Sequence, residues 1–139
     1  MTDSIRSNKA PEPVGPYPHA KKVGNLLFLS GIGPRKPGMK TIPGVELDKT
    51  GNIISYDIVD QCRSVFENIR NILDDSGSHW DNLVDITVFL TDMENDFPLY
   101  NQVYAEYFGN NQPCRTTVEV TALPTPIAIE LKCIATIRK

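Results

Sequence analysis

The stretch Ala128-Ile129-Glu130-Leu131-Lys132-Cys133-Ile134-Ala135-Thr136-Ile137-Arg138 decides how this chain is read. In an extended strand, alternate residues face opposite sides. Ile129, Leu131, Cys133, Ala135 and Ile137 then form one wholly apolar face, suited to packing under helices. Ala128, Glu130, Lys132, Ile134, Thr136 and Arg138 form the other. Such alternation marks a sheet with one packed face and one outer face. A preceding strand over residues 115–121 is joined to it through the turn Leu123-Pro124-Thr125-Pro126. Paired as a hairpin, the two strands place Arg115, Glu119, Glu130 and Lys132 together on the outer face.

Working outward, Ile58, Cys62, Val65, Phe66, Ile69, Ile72 and Leu73 recur at three- and four-residue steps, which predicts an amphipathic helix. Ser55 suits its N-cap, Asp57 its first turn and Gly77 its C′ stop. Residues 83–90 (LVDITVFL) read as a strand. A second helix opens near Asn95-Asp96, with Pro98 in its first turn, and runs through Tyr100, Val103, Tyr104, Tyr107 and Phe108. Towards the N-terminus, Gly24-Asn25 separates residues 19–23 from 26–30 as a hairpin. Residues 1–18 read as a polar, proline-rich arm. Residues 31–51 read as a loop rich in Gly, Pro, Lys and Arg, longer than most loops in compact domains, and such loops tend to carry function. The order β-β-α-β-α-β-β predicts an α+β fold, one domain over residues 1–139, with a mixed sheet and both helices on one face.

The chain has 139 residues, 40% of them hydrophobic, enough for a core without staples. The formal net charge is -3 and no run of Lys or Arg exceeds two, which argues against a nucleic-acid partner. Cys62, Cys114 and Cys133 are odd in number and widely spaced; they read as small buried hydrophobes and not as a disulfide framework. Nothing resembles a signal peptide or a membrane span, so the expected setting is cytoplasmic, without a membrane partner. His19 and His79 are the only histidines and belong to no metal-ligand spacing; no metal is expected. Ser30 and Cys114 lack an evident His–acid set for nucleophilic catalysis.

Two readings of the outer face stand side by side. It is either a solvated surface laced with ion pairs, or a surface covered by another subunit. In the second case an arginine clamps a carboxylate and an acid positions water in a partly dry cleft.

Several segments, taken in order, resemble the RidA (YjgF-type) family. They are Gly15-Pro16-Tyr17, Leu29-Ser30-Gly31, Thr87-Val88-Phe89-Leu90, Tyr104 with Tyr107-Phe108, Pro113-Cys114-Arg115, Val118-Glu119-Val120, Leu123-Pro124 and Ile129-Glu130-Leu131. The resemblance implies a chorismate-mutase-like fold and a homotrimer, with a dimer of trimers as a further expectation. It implies a site in each intersubunit cleft, needing no cofactor. By position, Arg115 matches the arginine that binds the substrate carboxylate and Glu130 the acid that activates water. Tyr17, Ser30, Gly31 and Asn101 match residues lining the cleft. The implied reaction is hydrolysis of an enamine or imine next to a carboxylate, with ammonia released.

Departures from the family pattern suggest a specialised substrate. Ile32 replaces a usual glutamine, Lys132 a usual acid and Thr117 a frequent cysteine or serine, and Pro18 follows Tyr17. Gly33-Pro34-Arg35-Lys36, Gly44-Val45-Glu46 and Pro124-Thr125-Pro126-Ile127 resemble 2-aminomuconate deaminases of aromatic-ring catabolism. That substrate carries two carboxylates. Arg115 holds one, so Arg35, Lys36 and Lys132 are candidates for the other. A general 2-iminoacid deaminase and a non-catalytic carboxylate-binding module are the alternatives; Arg115 and Glu130 together favour an enzyme, since a sensor needs no water-positioning acid.

Overall fold

Ile129, Leu131, Cys133 and Ala135 are all buried, as the alternation requires, while Glu130, Lys132, Ile134 and Thr136 are not. The computed structural model describes residues 2–137; Arg138, assigned above to the outer strand face, lies outside them. Eight strands and two helices follow in order: β1 (Thr2–Ile5), β2 (Ala20–Val23), β3 (Leu26–Leu29), β4 (Val45–Leu47), β5 (Ile53–Tyr56), α1 (Ile58–Asp75), β6 (Leu83–Leu90), α2 (Met93–Tyr107), β7 (Cys114–Glu119) and β8 (Ile129–Thr136). Strands β1-β2-β3-β8-β6-β7 form one six-stranded sheet, and β4-β5 form a separate ribbon. The sheet is mixed: β6 runs parallel to β7 and antiparallel to β8. Both helices pack on one face, the expected α+β layering.

Helix α1 forms where its apolar stripe predicts. Its N-cap is Asp57, whose carboxylate accepts from the amides of Val59 and Asp60, and Ser55 lies instead in β5. At the other end Gly77 adopts a positive φ of 77°. The Ser78 amide then reaches the Leu73 carbonyl at 2.9 Å, a Schellman closure that favours glycine at this position. Helix α2 starts at Met93, capped by Asp92, two residues before the expected opening, so Pro98 lies in its second turn. Phe66 of α1 centres an aromatic cluster with Trp80, Tyr100, Tyr104, Tyr107 and Phe108, which joins the two helices.

Further expectations are corrected. The start of the presumed arm is strand β1, paired with β2. The 31–51 loop is not structureless, because its end enters the β4-β5 ribbon. Most consequential, β7 and β8 do not form a hairpin; each pairs with β6, on opposite sides. Ile86 of β6 aligns with both Arg115 and Cys133, so Arg115 shares the helix face with buried Cys133. Phe89 aligns with Glu130 and with Val118. Arg115 and Glu119 thus lie on the opposite face of the sheet from Glu130 and Lys132. Cys62 and Cys133 are buried, and burial pushes both thiols up to about 12, but Cys114 is exposed, contrary to the sequence reading.

Candidate functional site

A cavity of about 400 Å³ opens on the face away from the helices, with Tyr17, Ser30, Gly31, Arg35, Glu130 and Lys132 on its walls. β8 supplies Glu130 and Lys132, the end of β3 supplies Ser30, and the arm supplies Tyr17. A methyl group on Gly31 would run into the Glu130 carboxylate, so glycine there is a condition for the acid's position. Glu130 is half-buried and its carboxylate accepts no hydrogen bond from the described residues. Burial raises its pKa above the ordinary 4.5, and the nearby Arg35 guanidinium opposes the rise. Loss of hydration disfavours the anion, so a proton is held more tightly. A desolvated acid with free oxygens beside a cavity can accept a proton from a bound water.

The arm that walls this cavity is tied down by His19. This buried ring accepts from the Ser7 amide at 2.9 Å through Nδ1 and donates to the Pro11 carbonyl at 2.7 Å through Nε2. Both nitrogens are committed to backbone, so His19 borders the cavity as a clasp. The Ser30 hydroxyl donates to the Pro18 carbonyl at 2.8 Å, and the Tyr17 hydroxyl accepts from the Val14 amide at 3.2 Å. His79, by contrast, is exposed, and its Nδ1 accepts from the Asp81 amide.

Arg115 stands elsewhere. Its guanidinium lies 4.6 Å from the centre of the Tyr104 ring, over α2, and donates to Asn101 Oδ1 at 2.9 Å. Tyr100 and Phe97 flank it, each 5.6 Å away. A cation on aromatic faces is held without neutralising its charge. None of the described carboxylates pairs with it. An open depression beside it is lined by Met93, Glu94, Phe97, Pro98 and Thr117. Glu119 accepts from the Met93 amide at 2.9 Å and so helps cap α2, on the opposite face of the sheet from Lys132. Within one chain, then, Tyr17, Ser30, Gly31, Arg35, Glu130 and Lys132 share a cavity, while Arg115 and Asn101 form a pair across the sheet.

The three candidate distal cations separate as well. Lys36 turns back onto α1, reaching Asn68 Oδ1 at 3.0 Å and Glu67 at 3.4 Å. Lys132 donates to the Leu29 carbonyl at 2.9 Å. Arg35 lies on the cavity wall and donates to the Glu12 carbonyl at 2.8 Å. Its loop is held by residues that sequence reasoning passed over. Buried Asn68 donates to the carbonyls of Gly33 and Arg35 at 2.9 and 2.8 Å, and Ser64 donates to the Pro34 carbonyl at 2.6 Å. A signal was present: Gln61, Ser64 and Asn68 recur at helical spacing beside the apolar stripe, a polar seam that a neighbouring loop's carbonyls can use.

Comparison with known proteins gives the family and the fold. Residues 7–137 match the family described as Endoribonuclease L-PSP. A RutC family protein of Pyrococcus horikoshii is 44% identical over 135 residues, covering 97% of this chain and 98% of that protein. The Arabidopsis thaliana protein named Reactive Intermediate Deaminase A, chloroplastic, is 38% identical over 133 residues, covering 96% of this chain and 65% of that one. The crystal structure of YEO7_yeast matches with a TM-score of 0.87 at 36% identity, over 99% of this chain and 100% of that chain. Two helices on a mixed sheet are the chorismate-mutase-like arrangement that the sequence resemblance implied.

Proposed function

The chain belongs to the Endoribonuclease L-PSP family, the RidA/YjgF group, and from that membership we propose that it is a deaminase hydrolysing an imine, or an enamine after tautomerisation, next to a carboxylate. The observation that carries this reading is Glu130, an acid raised by burial, without a hydrogen-bond donor among the described residues, on the wall of a cavity of small-molecule size. The name of the Arabidopsis relative supports it. A ribonuclease reading, which the family description invites, is disfavoured by the net charge of -3 and the lack of basic runs.

The chemistry needs one water. Its oxygen attacks the electrophilic C=N carbon while Glu130 takes a proton from it. Glu130 returns that proton to nitrogen, giving a carbinolamine; it then carries the hydroxyl proton to the same nitrogen as the C–N bond breaks, so both water protons leave with ammonia and a ketone remains. A fixed carboxylate orients the carbon, and Arg115 is the fork for that task. Because Arg115 and Glu130 occupy opposite faces of one sheet, the Arg115 that completes the cleft belongs to a second copy. A closed homotrimer meets this need, each copy giving Glu130 to one cleft and Arg115 to the next. Within the imine class, 2-aminomuconate is the proposed substrate, supported by the Gly33-Pro34-Arg35-Lys36 loop that puts a cation on the cavity wall.

Ammonia release from imines generated in solution tests the reaction. Glu130→Gln should lower turnover roughly 10²–10⁴-fold, the usual loss of an acid–base group. Arg115→Ala should lose most activity as well. Mixing the two inactive variants under dissociating conditions tests the shared cleft. With random reassembly about one quarter of clefts draw both wild-type groups, one from each parent, so activity should return to about that fraction. Mixtures as inactive as their parents would place both groups in one chain's site and sink the trimer reading.

A further inference from the structure

We propose that Arg35, presented on a loop that Ser64 and Asn68 grip, is a second anion anchor that selects substrates carrying another carboxylate remote from the imine carbon. This rests on the deaminase reading only for the place of the first carboxylate, and it assigns specificity to a residue within that cleft.

Three observations support it. The first is position: Arg35 shares the cavity with Glu130, and no described carboxylate forms an ion pair with it. Among the described residues a single hydrogen bond, to the Glu12 carbonyl, holds the guanidinium itself. A guanidinium has five N–H donors in a rigid fork, so most remain for a ligand. The second is preorganisation. Residues 33–36 carry three carbonyls bound by side chains of α1: Gly33 and Arg35 by Asn68, and Pro34 by Ser64. Gly33 packs so closely on Ile127 that a methyl group there would lie 2.7 Å from its Cδ1. Backbone fixed from both sides means that little order has to be created when a ligand binds. The third is elimination among neighbouring cations. Lys36, next in sequence, points away to Asn68 and Glu67. Lys132 is drawn back along the sheet to Leu29.

Arg35 has a second consequence in the same cavity. Its charge holds down the pKa of Glu130 against the effect of burial. A dianionic ligand that occupies Arg35 weakens that restraint, so the acid becomes a stronger base once substrate is seated.

The test uses matched, unreactive ligands: trans,trans-muconate, a hexadienedioate, and sorbate, the hexadienoate that lacks the second carboxylate. Calorimetry on the wild-type protein should show muconate binding roughly 10- to 100-fold more tightly than sorbate, the range expected for one charge-assisted contact. Arg35→Ala should collapse the ratio to near one and Arg35→Lys should leave an intermediate value, because charge is kept but the fork is lost. Lys36→Ala should leave the preference intact. Equal binding of the two ligands by wild type, binding of neither, or a preference that survives Arg35→Ala or vanishes only in Lys132→Ala would each overturn the proposal. Hydrolysis of a monocarboxylate imine is followed separately. Its absence would defeat the deaminase reading while the muconate-to-sorbate ratio still judges Arg35.

Discussion

On the helix side of the sheet, Leu27, Leu29, Ile86, Val88, Leu131 and Cys133 are shut away from water, whereas on the other side Val23, Leu26 and Val118 are exposed and Phe28, Phe89 and Ile134 only half-buried. The first surface is completed by the chain's own helices. The second alternates apolar residues with Glu130 and Lys132, and among the described residues the arm and loop frame the cavity on it. A core made by one chain is finished on folding; a surface mixing exposed apolar groups with a desolvated acid suits an interface. The difference teaches where stability and function reside. Stability lies under α1 and α2. The proposed chemistry lies on the face that a second copy would close.

Truncations on the two faces should break or sharpen this contrast most. Leu131→Ala, on the helix face, should destabilise the fold by about 2–5 kcal/mol, the cost of an unfilled core cavity. Ile134→Asp, three residues along the same strand, should leave the chain folded but lower the mass seen by light scattering to that of a monomer, because a charge would then be buried unpaired at the proposed interface. Equal loss of folding in both variants, measured by urea denaturation, would mean the outer face belongs to the core.

A smaller effect is expected at the arm. His19→Ala leaves the Ser7 amide and the Pro11 carbonyl without partners, which costs about 1–3 kcal/mol for buried polar groups. The loss should appear as faster amide exchange in residues 7–17 while the exchange of β8 is unchanged. Protection that stays the same in the arm would show that Ser30 and Tyr17 suffice to hold it.

The smallest effect separates the faces by pH. Glu130 acts as a base only when ionised, and its folded pKa lies above the ordinary value of 4.5, so activity should fall with decreasing pH at values where an ordinary carboxylate is still ionised. Stability moves the other way. A raised folded pKa contributes stability that is present below the ordinary value and is lost as pH rises through the raised one. Glu130→Gln should therefore flatten the pH dependence of Tm across that window, whereas Leu131→Ala, which removes no titrating group, should not.

The periodicities of the sequence were enough to establish both helices, β6, β8 to within a residue at each end, the packed face of β8 and the α+β class, because each depends on residues a few positions apart. Tyr17, Ser30, Gly31 and Glu130 were legible as a group through the family resemblance. Which strands pair was not legible. β7 follows α2 and lies parallel to β6, a β-α-β unit whose crossover helix covers the sheet, and Val120–Ala128 carries the chain past β6 before β8 begins. That pairing, set by long-range packing and invisible to alternation, turned Arg115 and Glu119 onto the helix face, away from Glu130. The role of Asn68 and Ser64 likewise needed the fold, since a polar seam on a helix acquires meaning only when tertiary structure brings carbonyls to it. Alternation is local and places a side chain on a face; the partner strand decides which face of the molecule that is.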